Sequence, residues 1–230
     1  KMESLQEACN KFKPDVIHLN KQNIEDGLDL LQTLDVLKVP YVTTIHITQT
    51  QKSLGALLGE LRDFVSRKVI QRSKSKKWIT ISQARWQDLM NLISTEQNKI
   101  VMVPNGVKFE KDEGGEVLKN AMKKKLNVPE NNLVIISVGR LEAQKDPMKF
   151  IDWATQCLKA NSQINFFWIG DGSLRVEFEA KINSLQLCNN IVCLGWQKHV
   201  ASFYAMADIY LHTARYEGLP FSLLEAMACK

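Results

Sequence analysis

No apolar run in these 230 residues approaches the roughly 20 needed to cross a bilayer, so a membrane-spanning helix is not expected. The opening residues, Lys1-Met2-Glu3-Ser4-Leu5, are polar and lack the apolar centre of a secretory signal. There is no internal repeat and no low-complexity tract. No Asp-x-Asp motif or other carboxylate pair is placed to hold Mg²⁺ or Mn²⁺. Cysteine is sparse: Cys9, Cys157, Cys188, Cys193 and Cys229 are scattered, odd in number and set mostly among apolar residues. Cys188 and Cys193 are the closest pair, but no His or Cys completes a zinc spacing, so free thiols in a reducing cytosol are expected. The basic residues are not interleaved with aromatics and match no nucleic-acid motif, which argues against nucleic acid as a partner.

The remaining composition, 45% hydrophobic and 24% charged, is that of a soluble globular protein. The length is generous for one domain and short for two complete ones. The first helix begins abruptly and Lys230 falls inside a helical pattern still running, so the chain reads as a fragment of a longer protein. Net charge is +5. The positives concentrate between Arg62 and Lys77 and between Lys119 and Lys125. Two readings stay open for them: solvated helix faces, or peripheral contact with anionic lipid headgroups or an anionic acceptor.

Short β-branched runs at 16–19, 41–45, 78–81, 100–103, 133–138, 165–169, 191–194 and 209–212 alternate with amphipathic segments. The runs are apolar and mostly lack period-two alternation, as strands buried on both faces should. Ser82 is placed to cap a helix, and Asp146-Pro147 supplies an N-cap and a first-turn proline. This order predicts an α/β fold with parallel sheets and helices on both faces. The pattern breaks between Pro104 and Glu116. The expected layout is therefore residues 1–107 as the later part of one Rossmann-like domain, 108–116 as linker and 117–230 as most of a second.

The closing stretch from Tyr216 to Lys230 carries the most chemistry. Glu217 and Glu225 flank a Gly218-Leu219-Pro220 turn that opens an apolar helix, with Pro220 expected at its first position. Amides near Gly218, Leu219 and Phe221 then face out of a helix N-terminus, which favours an anion. Bare amides suit phosphate and carboxylates suit sugar hydroxyls, so a phosphorylated sugar is the expected ligand. Arg140 and Lys145 lie on a loop after the 133–138 run, beyond a strand's carboxyl end, where open α/β sheets bind ligands. Gly170-Asp171-Gly172 reads either as a tight strand-to-helix turn with Asp171 as a cap or as a turn beside a nucleotide. His46, at a strand's carboxyl end, is open to a structural and a functional reading.

Together, Val138-Gly139-Arg140-Leu141 with Lys145, Gly170-Asp171-Gly172 and Glu217-Gly218-Leu219-Pro220 through Glu225-Ala226-Met227-Ala228 resemble the C-terminal domain of retaining GT-B glycosyltransferases of the GT4 (group 1) type. Pro14-Asp15-Val16-Ile17-His18, Thr44-Ile45-His46, Ile81-Ser82 and Val103-Pro104-Asn105-Gly106-Val107 resemble the first domain of that family. The resemblance implies two Rossmann-like domains facing across a cleft, both incomplete here, and a nucleotide-diphosphate sugar donor (UDP-, GDP- or ADP-sugar) used without metal or other cofactor. It implies that Arg140, Lys145, Gly218, Leu219 and Phe221 bind the diphosphate. Glu217 and His46 serve the transferred sugar as catalytic residues, and Glu225, Gly170 and Asp171 serve the ribose and nucleotide. The acceptor would be a glycan or lipid, and the place of work cytoplasmic, with a peripheral membrane position open. Thr213-Ala214 departs from the Pro-Ser common in the family. A sugar-nucleotide epimerase, a phosphorylase-like enzyme and a non-enzymatic binding relative are the alternatives; no cofactor-bearing lysine for a phosphorylase is evident.

Overall fold

The computed structural model describes residues 2–37, 39–93, 97–108 and 115–229. The chain divides into two compact units, Lys1–Asn105 and Gly106–Lys230. The first unit runs α1 (Met2–Phe12), β1 (Ile17–Asn23), α2 (Leu28–Val36), β2 (Tyr41–Ile47), α3 (Gly59–Arg72), β3 (Trp78–Thr80), α4 (Gln83–Ile93) and β4 (Ile100–Met102). Its sheet has the order β1-β2-β3-β4, and every pairing is parallel. Successive right-handed crossovers that step one way along a sheet place their helices on the same face. That corrects, for this unit, the expectation of helices on both faces. The face they cover is packed by Leu31, Leu34, Ile45, Ile70, Trp78 and Leu89.

The second unit runs α5 (Gly115–Lys125), β5 (Leu133–Val138), α6 (Pro147–Ala160), β6 (Ile164–Ile169), α7 (Arg175–Ser184), β7 (Ile191–Gly195), α8 (Ala201–Met206), β8 (Ile209–Tyr210) and α9 (Phe221–Ala228). Here the sheet order is β7-β6-β5-β8, again parallel. The chain first steps outward from β5 to β7 and then returns to the other side of β5, so helices cover both faces. Strand residues divide accordingly. Ile135, Phe166 and Trp168 pack with Phe150 and Phe178 of α6 and α7, while Val134, Ile136, Phe167 and Ile169 pack with Met122, Phe203 and Met206 of α5 and α8.

Among the boundaries that differ from expectation, three bear on the fold and the site. β1 continues through Asn20, Lys21 and Gln22 to Asn23, because Lys21 is buried, pairs in register with Ile45 and donates its ammonium to the Ile24 carbonyl at 3.1 Å. Helix α5 begins at Gly115, inside the expected linker, with Glu116 in its first turn where the dipole favours an acid; residues 109–114 of that stretch lie outside the described residues. Pro220 is the N-cap of α9 and not its first residue, with extended φ and ψ of −71° and 135°. The expected caps on α4 and α6 are present: Arg85 N donates to Ser82 Oγ at 3.4 Å, and Lys149 N donates to Asp146 Oδ1 at 3.2 Å with Pro147 first in the helix.

Candidate functional site

The strand order of the second sheet reverses between β5 and β8, the topological switch point where doubly wound sheets open a crevice beyond the strands' carboxyl ends. The loop after β5 carries Arg140 and Lys145, and the loop after β8 carries Glu217. These two loops are tied together. Arg215 N donates to the Gln144 carbonyl at 2.9 Å, Gln144 Nε2 to the Tyr216 carbonyl at 3.2 Å, and Arg215 Nε to Asp146 Oδ2 at 2.8 Å. Thr213 Oγ1 donates to the Lys145 carbonyl at 2.9 Å, so the Thr213 that departs from Pro-Ser holds the lysine's backbone. At the centre the Lys145 ammonium donates to Glu217 Oε1, with only 17% and 18% of the two side chains exposed. The stem of Lys145 lies over Gly139. Arg140 stands exposed on the same loop.

Because Pro220 has no N–H, the unpaired amides at the start of α9 belong to Phe221 and the residues after it. One turn further on, Glu225 accepts a hydrogen bond from Tyr204 OH at 3.0 Å, and the same hydroxyl lies 3.0 Å from the Ser222 carbonyl. Tyr210 OH donates to Ser222 Oγ at 2.9 Å. Burial drives both phenols up, Tyr210 to about 12. Sequence reasoning missed Tyr204. The available signal was a tyrosine inside the apolar helix Ala201–Met206, whose hydroxyl must find a partner when buried.

His212, just past β8, was also missed, although the rule that singled out His46 applies equally to it. Its Nδ1 lies 3.4 Å from Tyr210 OH, its Nε2 is buried with no hydrogen-bond partner among the described residues, and burial lowers its pKa.

The Gly170-Asp171-Gly172 turn abuts the cation loop. Leu141 N donates to the Asp171 carbonyl and Leu174 N to the Leu141 carbonyl, both at 3.0 Å. A Cβ on Gly170 would stand 2.0 Å from the Gly139 oxygen, and one on Gly172 2.5 Å from the Leu141 oxygen. Asp171 Oδ1 accepts from Gly172 N at 2.8 Å and Oδ2 from Arg175 at 2.7 Å. Both glycines are thus required by packing, and the Asp171 carboxylate is engaged locally.

His46 belongs to the first unit. Its Nε2 lies 2.7 Å from Asn20 Oδ1, so Nε2 carries the hydrogen and Nδ1 is left as an acceptor. Burial first, and then nearby His18, hold its pKa below the ordinary imidazole value. Of the basic run after Arg62, several members are already engaged. Arg62 grips Glu25, Lys74 donates to the Asp35 carbonyl at 3.0 Å and Lys77 to the Asn98 carbonyl at 2.6 Å. Lys119 and Lys123 are likewise taken up, by Asp208 at 2.6 Å and by the Glu130 and Asn132 carbonyls at 2.8 Å. None of the five cysteines forms a disulfide among the described residues.

Two family descriptions divide the chain. Glycosyltransferase Family 4 matches residues 2–111, and Glycosyl transferases group 1 matches residues 119–230. The chain belongs to the group 1, GT4-type glycosyltransferases. It is 30% identical over 134 residues to the UDP-Gal:α-D-GlcNAc-diphosphoundecaprenol α-1,3-galactosyltransferase of Escherichia coli, a match covering 56% of this chain and 34% of that one. It is 33% identical over 100 residues to the GalNAc-α-(1→4)-GalNAc-α-(1→3)-diNAcBac-PP-undecaprenol α-1,4-N-acetyl-D-galactosaminyltransferase of Campylobacter jejuni, covering 43% of this chain and 27% of the relative. Anabaena HepE, solved with UDP and glucose, superposes with a TM-score of 0.78 at 18% identity, over 98% of this chain and 60% of its own. The fold of this GT4-type chain is therefore GT-B. It spans about a third of the length of the first curated relative and about 60% of that solved chain.

Proposed function

We propose that this chain carries the donor site of a retaining glycosyltransferase that uses a nucleotide-diphosphate sugar. The observation that carries the reading is the Lys145–Glu217 pair at the switch point, beside the N-terminus of α9. A cation there meets diphosphate oxygens, with Arg140 adding a planar fork from the same loop. The amides of Phe221 and the residues after it, at the start of α9, add dipolar stabilisation as negative charge grows on the leaving phosphate. Glu217 accepts hydrogen bonds from the sugar's hydroxyls, and Glu225, aligned by Tyr204, accepts from the ribose. His46 contacts the transferred sugar; this assignment rests on the resemblance and on its place at a strand's carboxyl end. The positive charge of Lys145 and Arg140 takes the part that a divalent ion plays elsewhere, so activity survives chelation.

No protein nucleophile is evident beside Glu217 among the described residues. The acceptor oxygen attacks the sugar carbon on the face from which the diphosphate leaves, through an oxocarbenium-like state. The C1–O(phosphate) bond breaks, the C1–O(acceptor) bond forms, and the acceptor's proton passes to the departing phosphate oxygen. UDP is the favoured leaving group, since HepE was solved with it and the Escherichia coli relative is named for UDP-Gal.

The test is transfer by the whole protein from UDP-, GDP- and ADP-sugars, with the product anomer read by NMR. Glu217→Ala should lower kcat on the order of 10² to 10³-fold. Near-normal turnover in that variant, or an inverted product, would sink the reading.

A peripheral membrane position is favoured by one further observation. Leu57, Leu58, Leu61, Phe64 and Val65 are 86%, 66%, 58%, 56% and 48% exposed. They recur at helical spacing at and near α3, and Lys68 and Arg72 follow on the same helix. No helix among the described residues is long and apolar enough to cross a membrane.

A further inference from the structure

The transfer reading gives His212 no task, although its imidazole stands just past β8, on the segment that leads to Glu217. The next residue, Thr213, is fastened to the Lys145 carbonyl at 2.9 Å. The charges that act on the ring are Glu217 and Lys145 themselves, so it lies within electrostatic range of both members of the pair. On β8 its neighbour is Tyr210, whose ring stacks on it with centroids 6.0 Å apart. Beyond Tyr210 come Tyr204 of α8, whose ring centroid is 6.0 Å from that of Tyr210, and Glu225 of α9, whose charge acts on Tyr210.

The hydrogen bonds fix which nitrogen carries the hydrogen. Tyr210 OH donates to Ser222 Oγ at 2.9 Å, with the Val138 carbonyl as a second acceptor at 3.5 Å. Its hydrogen is thus committed, and its oxygen, 3.4 Å from Nδ1, is left to accept. Nδ1 then carries the imidazole hydrogen and Nε2 is a bare lone pair. That lone pair is buried and meets no donor among the described residues. Burial lowers the imidazole's pKa from 6.5, against Glu217, which raises it, and together with Lys145. A neutral ring suits the pair as it stands, because Lys145 and Glu217 cancel each other.

A nucleotide diphosphate upsets that balance. Turned toward phosphate oxygens, the Lys145 ammonium leaves the largely enclosed Glu217 carboxylate without its full countercharge, which is costly. Arg140, exposed on the same loop, answers part of the phosphate charge. A lone pair without a donor can answer the rest by gaining a proton and, with it, a charge.

We propose that His212 is a positioning residue: its Nε2 takes up a proton when a nucleotide diphosphate draws Lys145 from Glu217, and the imidazolium then holds Glu217 ionised and in place. This rests on the donor-site reading above, since it is the diphosphate that displaces Lys145. The proton comes from solvent and no covalent bond of the donor changes. The complex then carries more protons than the free protein, so nucleotide affinity strengthens as the pH falls through the imidazole's titration range.

The experiment is calorimetry of UDP binding to the whole protein at pH 6 and pH 8, in buffers of different ionisation enthalpy, with His212→Asn as the comparison. Asparagine can still donate to the Tyr210 oxygen and cannot take up a proton. The terminal phosphate of UDP and His46 titrate alike in both proteins, so the difference between them isolates His212. At pH 6 the wild-type protein should take up about half a proton to one proton more per UDP than the variant. Its affinity should also gain at least about threefold more than the variant's on going from pH 8 to pH 6. His212→Gln serves the same comparison should the asparagine variant not fold. UDP binding with equal proton uptake in the two proteins overturns the role of His212 and leaves the donor site standing. So does an affinity lowered by one factor at both pH values, which is the mark of packing alone. Absence of UDP binding by the wild-type protein overturns the donor-site reading, and the proposal with it.

Discussion

A carboxylate on a helix whose neighbours are Leu223, Leu224, Ala226 and Met227 needs a donor, and Tyr204 supplies it across the α8–α9 contact at 3.0 Å. Hydrogen bonds to a charged group are worth about 1.5–3 kcal/mol, enough to fix one rotamer of Glu225. Tyr204→Phe removes that bond with little change in volume. UDP affinity by calorimetry should fall about fivefold to tenfold, equivalent to about 1–1.4 kcal/mol, in a protein that still melts cooperatively. An unchanged UDP affinity would remove Tyr204 as a positioning residue. Lys21 shows the opposite situation, a buried cation with a single carbonyl partner among the described residues. Burial outweighs the pull of Asp26 and Asp29 and lowers its pKa from 10.5 to about 8. Between those values the unfolded chain binds the proton and the folded chain does not, so stability rises with pH across that window. Below pH 8 the full penalty applies, roughly 3 kcal/mol from the shift. Lys21→Met should therefore raise the melting temperature at pH 7 and flatten the gain in stability between pH 8 and 10.5. If neutral-pH stability falls instead, the ammonium's bond to the Ile24 carbonyl outweighs its desolvation.

At the scale of elements, the strands were readable because most are short apolar runs, and the second unit's five- and six-residue strands carry only Ser137 and Asn165 as buried polar residues. What was not readable is where tertiary pairing overrides composition. Asn20, Lys21 and Gln22 look like a turn and are strand, because β2 offers them a ladder. The turn Gly170-Asp171-Gly172 was legible as a turn, but its reason was not. Two loops from different strands meet backbone to backbone there, and no sequence pattern announces that Gly139 lies opposite Gly170. Lys145 and Glu217 were each legible; their pairing across 72 positions follows from the β7-β6-β5-β8 order, a long-range property. Gly170→Ala tests the close approach. Its φ of 138° and the 2.0 Å contact both oppose a side chain, so a loss of about 2–4 kcal/mol is expected from denaturant midpoints. Gly106→Ala, with nothing within 4 Å of its new Cβ, serves as the control and should change little. Equal midpoints for the two variants would mean that the loops separate at small cost.

For the molecule as a whole, charge and exposed apolar surface act together or not at all. A formal charge of +5 spread evenly gives weak, salt-sensitive attraction to any anionic surface. The chain does not spread it evenly. Many of its lysines and arginines are pinned by carboxylates or carbonyls, whereas Lys68 stays beside an exposed ring, its ammonium 5.5 Å from the centre of Phe64, and Arg72 ends the same helix. An apolar ridge of Leu57, Leu58, Leu61 and Phe64 with adjacent cations suits the boundary between headgroups and acyl chains. Each cation near an anionic leaflet contributes about 1 kcal/mol, so the two together imply a rise in partitioning of about tenfold to thirtyfold when anionic lipid is added to neutral vesicles. Flotation of the whole protein with vesicles of phosphatidylcholine alone and with added phosphatidylserine measures this directly. Lys68→Gln with Arg72→Gln should remove the dependence on anionic lipid. Leu61→Ser with Phe64→Ser should lower binding to both vesicle types, because the ridge acts through buried area and not through charge. Binding that follows salt alone and ignores the two apolar substitutions would reduce this face to a solvated one.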